Sequence, residues 1–230
     1  MTFSAFSPDM LAFLRELAAN NDRDWFKANQ KRYERDVREP VRAFVRAMTP
    51  VLDEHAPALT ADDRKVGGSM MRPQRDTRFS ADKTPYKVHV GVQFRHQGGK
   101  DVHAPGLYLH IHPDELFVGL GMYRPASADL KSIRERISAE PQAWTEIVED
   151  ERLKSVWSMG DRDNLLKSKP RGFDADDPMI DWLRMKSHIL VRDLERDEVF
   201  SPGLPERMAG WLQSGSRHAG FLCEAIGQPW

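Results

Sequence analysis

The sequence has 230 residues with 34 basic and 35 acidic side chains, and its formal net charge at pH 7 is −1. A hydrophobic fraction of 40% and a charged fraction of 30% are typical of globular proteins, which excludes collagen-like, fibrous and wholly disordered chains. No apolar run approaches the roughly 20 residues that span a bilayer, so we expect no membrane association. The N-terminal residues show no secretory signal, and the single cysteine, Cys223, allows no intrachain disulfide, so we expect a cytoplasmic protein.

Residues 7–56 carry the pattern of helices. The first helix is predicted to begin at Pro8 and the second to be capped by Asp22 or Asp24. A third helix is predicted to begin at Pro40, because apolar residues follow it at helical spacing. The aromatic residues of this part are expected to lie in the core.

Residues 64–124 carry the pattern of strands. Positions 86–95 alternate strictly between apolar and polar side chains, and two later alternating runs flank the turn pair Pro113-Asp114. If those two residues form the loop of a hairpin, Ile111 lies opposite Leu116 and the apolar sets of both strands share one face. The same register pairs Leu109 with Val118, His110 with Phe117, and Tyr108 with Gly119.

Residues 126–230 return to helical patterns, with a short strand predicted at 187–191. The last helix is predicted over 205–226, with breaks at Gly215 and Gly220. Cys223 lies among apolar residues of that helix, which favours a core residue over a nucleophile.

Strands grouped between helical ends predict an α+β fold: a central, mainly antiparallel sheet with helices from both ends of the chain packed on it. No linker or internal repeat divides the chain. We therefore predict one domain over residues 1–230, with N-terminal helices at 7–56, a central sheet at 64–124 and a C-terminal helical part at 126–230.

The positive charge is concentrated in one stretch. Residues 64–100 contain nine basic and two acidic side chains, a net charge of +7, which leaves −8 for the rest of the chain. Such a segment is suited to attract an anion locally, whereas the acidic remainder repels a long polyanion. A solvated surface patch paired with acids elsewhere is the alternative.

Within that stretch, residues 72–87 form a dense motif of cations. Guanidinium groups bind carboxylate or phosphate oxygens two at a time and stay charged at any relevant pH. We predict that Asp76 and Asp82 support the cations and stop them from repelling one another. The predicted anion-binding residues are Arg72, Arg75, Arg78, Lys83 and Lys87. The alternative is a network of ion pairs that only clamps the loop onto the sheet.

The motif resembles the signature of a family of conserved hypothetical proteins, domain of unknown function 2461. Its pattern, R-x-x-R-D-x-R-F and then D/N-K-x-x-Y, falls on Arg72, Arg75, Asp76, Arg78, Phe79, Asp82, Lys83 and Tyr86. The Asn20-Asn21, Trp25-Phe26, Gly119-x-Gly121 and 170–173 segments are similar to that family as well. The resemblance implies a bacterial-type, single-domain protein, and it implies no particular reaction, substrate or cofactor.

The polar face of the predicted sheet is a second candidate region. Glycine inside a strand often marks a place where something approaches the backbone closely. We predict a pocket lined by Tyr108, Gly119, Gly121 and Tyr123, unless the glycines form a bulge or admit a packed helix. His89 and His110 are the candidates for proton transfer, because an imidazole titrates near neutrality.

His110 and His112 share one face, and with His89 they would bring three imidazoles to adjacent strands. No acid at a diagnostic spacing completes a known ligand set, so we predict no metal site and assign no cofactor.

The preferred function is binding of an anionic small molecule, phosphorylated or carboxylated, at the arginine-rich loop beside the sheet pocket, with catalysis on that ligand as a further hypothesis. The first alternative is nucleic-acid binding through the same loop. Its stacking candidates are Phe79, Tyr86, Tyr108 and Phe117. The second alternative is a non-catalytic interaction domain. The sequence assigns no oligomeric state.

Overall fold

In the computed structural model, which describes residues 3–98, 103 and 105–230, the N-terminal part is helical up to His55. The Asp22 carboxylate accepts a hydrogen bond from the Trp25 amide at 2.8 Å, so Asp22 is the cap of the second helix. Helical structure also precedes Pro40, as a short helix and a π-helical turn. The helices are α1 (Asp9–Ala19), α2 (Arg23–Ala28), α3 (Gln30–Tyr33), the π turn (Glu34–Arg38) and α4 (Glu39–His55).

The described residues form a six-stranded antiparallel sheet in the order β1-β2-β3-β4-β6-β5. Its strands are β1 (Leu59–Thr60), β2 (Val90–His96), β3 (Gly106–Ile111), β4 (Leu116–Met122), β5 (Ser158–Met159) and β6 (His188–Asp193). With helices on both sides of it in the chain, this sheet confirms the α+β prediction. The sheet exceeds the predicted range 64–124, because β1 precedes that range and β5 and β6 follow it.

The predicted hairpin between β3 and β4 is confirmed in register. Ile111 lies opposite Leu116 and Tyr108 opposite Gly119, as the side-chain parity requires. The backbone amide of His112 donates to the Glu115 carbonyl at 2.9 Å and closes the Pro113-Asp114 turn.

The start of β2 was predicted four residues too early. Its ladder with β3 begins at Val90, whereas residues 85–89 run beside the motif segment. The Lys87 amide donates to the Pro73 carbonyl at 2.7 Å, and the Arg75 amide donates to the Pro85 carbonyl at 2.9 Å. Pro73 and Pro85 have no amide hydrogen to return, so a regular ladder does not form there.

The motif segment follows the outer edge of β2. The Met71 amide donates to the Gly91 carbonyl at 2.9 Å, and Met70 bridges Val92, which pairs with β3 on its other side. Residues 70–75 therefore continue along the edge that β1 occupies further on. This geometry places Arg72 and Arg75 at a sheet edge.

The C-terminal helices cluster around the last of them, which packs on β4. They are α5 (Ser127–Ala139), α6 (Pro141–Val148), α7 (Glu151–Val156), α8 (Ile180–Leu183), α9 (Arg196–Phe200) and α10 (Leu204–Ala225). The predicted breaks at Gly215 and Gly220 are wrong, since α10 is continuous. A Cβ atom at Gly215 would lie 2.5 Å from the Leu120 Cδ2 atom, so this glycine lets α10 approach β4 closely.

Cys223 is fully buried in α10, as predicted for a core residue. Burial raises the pKa of its thiol to about 12, which keeps it protonated at neutral pH. In the part of the chain that the structure describes, no helix has the length and apolar character of a membrane span.

Candidate functional site

The motif forms a hairpin-like loop over residues 76–84 that is closed at its base by Arg75. The Arg75 guanidinium contacts both the Asp82 carboxylate and the Thr84 hydroxyl. The pKa of Asp82 is lowered to about 2, chiefly by the hydrogen bond from Arg75 and also by the Thr84 amide. Asp82 therefore occupies the supporting position that the sequence predicts.

The base of the loop is also tied to the N-terminal helices. The Asn21 side chain donates to the Tyr86 carbonyl at 2.9 Å and accepts from the Tyr86 amide at 3.0 Å. The Tyr86 ring stacks on Phe26 with ring centroids 4.1 Å apart. These contacts fix the segment that carries Lys87.

Replacing Arg75 by Ala should loosen this loop without unfolding the protein. The Thr84 amide, which donates to Asp82 at 2.9 Å, should exchange its hydrogen about tenfold faster once Asp82 loses its partner. Hydrogen-exchange mass spectrometry of residues 76–86 measures the effect, with Arg171→Ala as a control in a distant exposed loop. Unchanged exchange in the Arg75 variant would contradict the clamp.

At the tip of the loop, Arg78 and Phe79 point away from the protein body. Arg78 is 77% exposed in its side chain and pairs with Asp76 at 2.7 Å, which lowers the pKa of Asp76 to about 2. Phe79 is 96% exposed, and the Arg78 guanidinium lies 5.7 Å from the centre of its ring. Lys83 donates to the Thr77 carbonyl at 2.9 Å.

The three motif arginines do not meet at one hollow. Arg72 lines a groove at the edge of β2, whereas Arg75 and Lys83 line a different hollow that also contains Asp22. Arg78 is held by Asp76 at the loop tip. The interleaved aspartates, predicted to support the cations, bind two of the arginines in separate places.

Among the described residues, five cations and no Asp or Glu line the groove that contains Arg72. Its volume is about 450 Å³, and its cationic residues are Arg38, Lys65, Arg72, Lys87 and Arg95. Arg38 pairs with Glu34, and the Lys65 ammonium lies 3.9 Å from the same carboxylate. Arg95 donates to the Gly67 carbonyl at 3.0 Å. We call this cavity the cationic groove.

Arg72 and Lys87 have no carboxylate within 4 Å among the described residues. The Lys87 side chain is half-buried, and its ammonium is 4.0 Å from the Met71 sulfur. Burial lowers the pKa of Lys87, and the charge of Arg72 lowers it further. The two positive charges therefore repel each other. A bound anion would reduce both this repulsion and the cost of burying the Lys87 ammonium.

Three cations of the groove were missed as binding residues. Lys65 and Arg95 belong to the basic stretch, so its charge was the available signal, but neither lies in the motif. Arg38 comes from the π-helical turn and carries no signal in the sequence, because only the fold brings that turn beside residues 65–74.

The four predicted pocket residues, Tyr108, Gly119, Gly121 and Tyr123, line one cleft of about 560 Å³ on the polar face of the sheet. We call it the sheet cleft. It shares Met71 and Gln93 with the cationic groove, so the two cavities adjoin. Part of the space at the glycines is used internally, since a Cβ at Gly119 would lie 3.1 Å from the Ile189 Cδ1 atom.

His89 and His110 lie together, with ring centroids 4.5 Å apart, but neither lines the cationic groove or the sheet cleft. The pKa of each is lowered to about 4, mainly by burial, so both imidazoles are neutral at pH 7. The expectation that they titrate near neutrality is therefore wrong. His110 Nδ1 lies 3.0 Å from the Tyr108 hydroxyl. Proton transfer by these residues stays a prediction.

No group of three His, Cys, Asp or Glu residues within the described ranges is arranged to hold a metal ion. His110 and His112 have ring centroids 6.4 Å apart, and the His112 Nδ1 atom already accepts from the Asp114 amide.

The structure thus defines an α+β protein with an antiparallel sheet and a cationic groove at one sheet edge. The chain belongs to the DUF2461 family of conserved hypothetical proteins, whose model matches residues 9–217. This match confirms the resemblance inferred from the motif, and it includes the whole groove. No curated protein matches the chain.

Proposed function

We propose that the protein binds an anionic small molecule, phosphorylated or carboxylated, in the cationic groove. The observation that carries the proposal is the proximity of Arg72 and Lys87, two neighbouring cations of which one is half-buried. Neither has a carboxylate oxygen within 4 Å in the described part of the chain. A buried or half-buried cation is costly unless it is paired. An anion between these groups would supply the missing partner.

The groove also has the size and chemistry of a small-ligand site. Its volume of about 450 Å³ lies in the range of small-molecule pockets. The Arg72 guanidinium offers a planar fork of donors, and the Lys87 ammonium is a point charge beside it. Met70 and Val66 add apolar surface for the uncharged part of the ligand. The proposal is limited to binding. The cytoplasm remains the predicted compartment.

Calorimetric titration of the whole protein with pyrophosphate and with citrate tests the groove. Arg72→Gln and Lys87→Met should each weaken the affinity for the better probe at least about tenfold, as expected for a charge-assisted contact. Arg171→Ala removes an exposed cation far from the groove and should leave the affinity unchanged. Arg78→Ala separates the groove from the loop tip, and we expect retained binding.

Two results would contradict the proposal. One is the absence of binding of both probes at millimolar concentration. The other is unchanged affinity in Arg72→Gln and Lys87→Met when circular dichroism shows both variants folded. Loss of binding in Arg78→Ala alone would shift the site from the groove to the tip of the loop.

Nucleic-acid binding is a second candidate, favoured by the exposed Phe79 ring beside Arg78. The other stacking candidates are less accessible or badly placed: Tyr86 is stacked on Phe26, and Tyr108 lies at the sheet cleft. This candidate predicts oligonucleotide affinity that falls steeply with salt and is lost in Phe79→Ala. Filter binding at two salt concentrations separates it from the groove proposal.

A further inference from the structure

The sheet cleft differs in chemistry from the cationic groove that adjoins it. Its walls contain the rings of three aromatic residues, the His103 imidazole and three carboxylates, and neither Lys nor Arg is among the described residues that line it. The aromatic residues are Tyr108, Phe117 and Tyr123, and the acidic residues are Glu115, Asp161 and Asp193. The floor is the bare backbone of the glycines in β4.

The carboxylates of the cleft have no cationic partner. None of them lies within 4 Å of a Lys or Arg nitrogen in the described part of the chain. The Asp161 Oδ2 atom is buried and accepts no hydrogen bond. The Glu115 Oε2 atom lies 3.8 Å from the His110 Nε2 atom. Burial lowers the pKa of His110 to about 4, so that imidazole is neutral at pH 7. Within the described part of the chain, no Lys or Arg therefore offsets the charge of these three carboxylates.

The aromatic rings add a surface that suits an organic cation. The face of an aromatic ring attracts a cation that lies within about 6 Å of its centre. Tyr123 already shows this contact on one side, since the Arg124 guanidinium lies 5.3 Å from the centre of its ring. The Phe117 ring stacks on His110. The ring centroids of Tyr108 and Phe117 are 5.8 Å apart.

We propose that the sheet cleft binds an organic ammonium ion between its aromatic rings and its carboxylates. Charge complementarity favours this occupant, because the three carboxylates and the absence of Lys and Arg from the described residues that line the cleft disfavour an anion. Aromatic walls select an alkylated ammonium over a hydrated metal ion. The site is separate from the cationic groove, although the two share Met71 and Gln93.

The test is a titration followed by two-dimensional amide NMR of the full chain. The probes are choline, butylammonium and 3,3-dimethylbutan-1-ol, which is the uncharged isostere of choline. We expect an ammonium probe to shift the amide signals of Gly119 and Gly121. We also expect choline to bind at least about tenfold more tightly than its isostere, because only choline carries the charge.

Variants assign the binding to the cleft. Asp161→Asn combined with Asp193→Asn should weaken ammonium binding at least about tenfold, whereas Asp174→Asn, in an exposed loop, should not change it. Arg72→Gln, which impairs the groove, should leave ammonium binding intact. The proposal is overturned if neither ammonium probe shifts these amides, if the isostere binds as tightly as choline, or if the folded double variant retains full affinity.

Discussion

Lowering the pH from 7 to 5 is expected to remove about 4 kcal/mol from the free energy of unfolding, through His188 and His218. Both imidazoles are fully buried, and burial lowers the pKa of each to about 3. Their four ring nitrogens have no hydrogen-bond partner among the described residues. At pH 5 the unfolded chain protonates them, while the folded protein keeps them neutral.

The sign follows from proton linkage. Because the pKa of each histidine is lower in the folded protein than the ordinary 6.5, the unfolded state binds more protons. Stability therefore falls as the pH drops below about 6.5, and it continues to fall until the pH reaches the folded value near 3. Each group contributes about 2 kcal/mol of this loss at pH 5.

Chemical denaturation of His218→Leu at pH 7 and at pH 5 measures the effect. The difference in unfolding free energy between the two pH values should shrink by about 2 kcal/mol, since one of the two buried groups is gone. Leu222→Val in the same helix is a matched control without a titratable group. It should lower stability equally at both pH values. An unchanged pH dependence in His218→Leu would contradict the explanation.

Replacing Gly121 by Ala is expected to cost about 3 kcal/mol of stability. The backbone φ of Gly121 is +129°, a region that residues with a side chain rarely adopt. A Cβ at this position would also lie 2.4 Å from the His188 carbonyl oxygen of the neighbouring strand. Strand β4 would have to move away from β6 to accommodate it.

The matched change is Gly210→Ala, in the exposed middle of α10. A Cβ there meets nothing within 4 Å, so the better helix propensity of Ala should stabilise the protein by about 1 kcal/mol. Thermal unfolding of both variants gives the comparison. If Gly121→Ala is as stable as the parent, the backbone does not require glycine at this position.

Much of the fold was predictable because it follows from local sequence patterns. The hairpin of β3 and β4 was predicted in register, since side-chain alternation and a two-residue turn allow one pairing that keeps the apolar residues together. The start of β2 was predicted wrongly, because the alternation of its side chains continues into a segment where Pro73 and Pro85 interrupt the ladder. The helix break predicted at Gly215 was wrong, because helix propensity disfavours glycine but packing against Leu120 requires it.

The site was predictable only in part. The basic stretch pointed to an anion, and Arg72 and Lys87 do share a groove, as Tyr108 and Gly119 share a cleft. Arg75 and Arg78, predicted to bind an anion together with Arg72, lie outside the groove, where aspartates seven and two positions away hold them. The conformation of the loop decides which arginine lies near which carboxylate.

The sequence alone determined the α+β class, the β3–β4 register, the place of the positive charge and the family. These properties depend on neighbours along the chain, where periodicity, turn residues and charge counts are sufficient. Only the tertiary structure decided that Arg38 joins the groove and that Asp161 and Asp193 make the adjoining cleft acidic. Those residues lie far from the motif in sequence, and long-range packing alone brings their charges together.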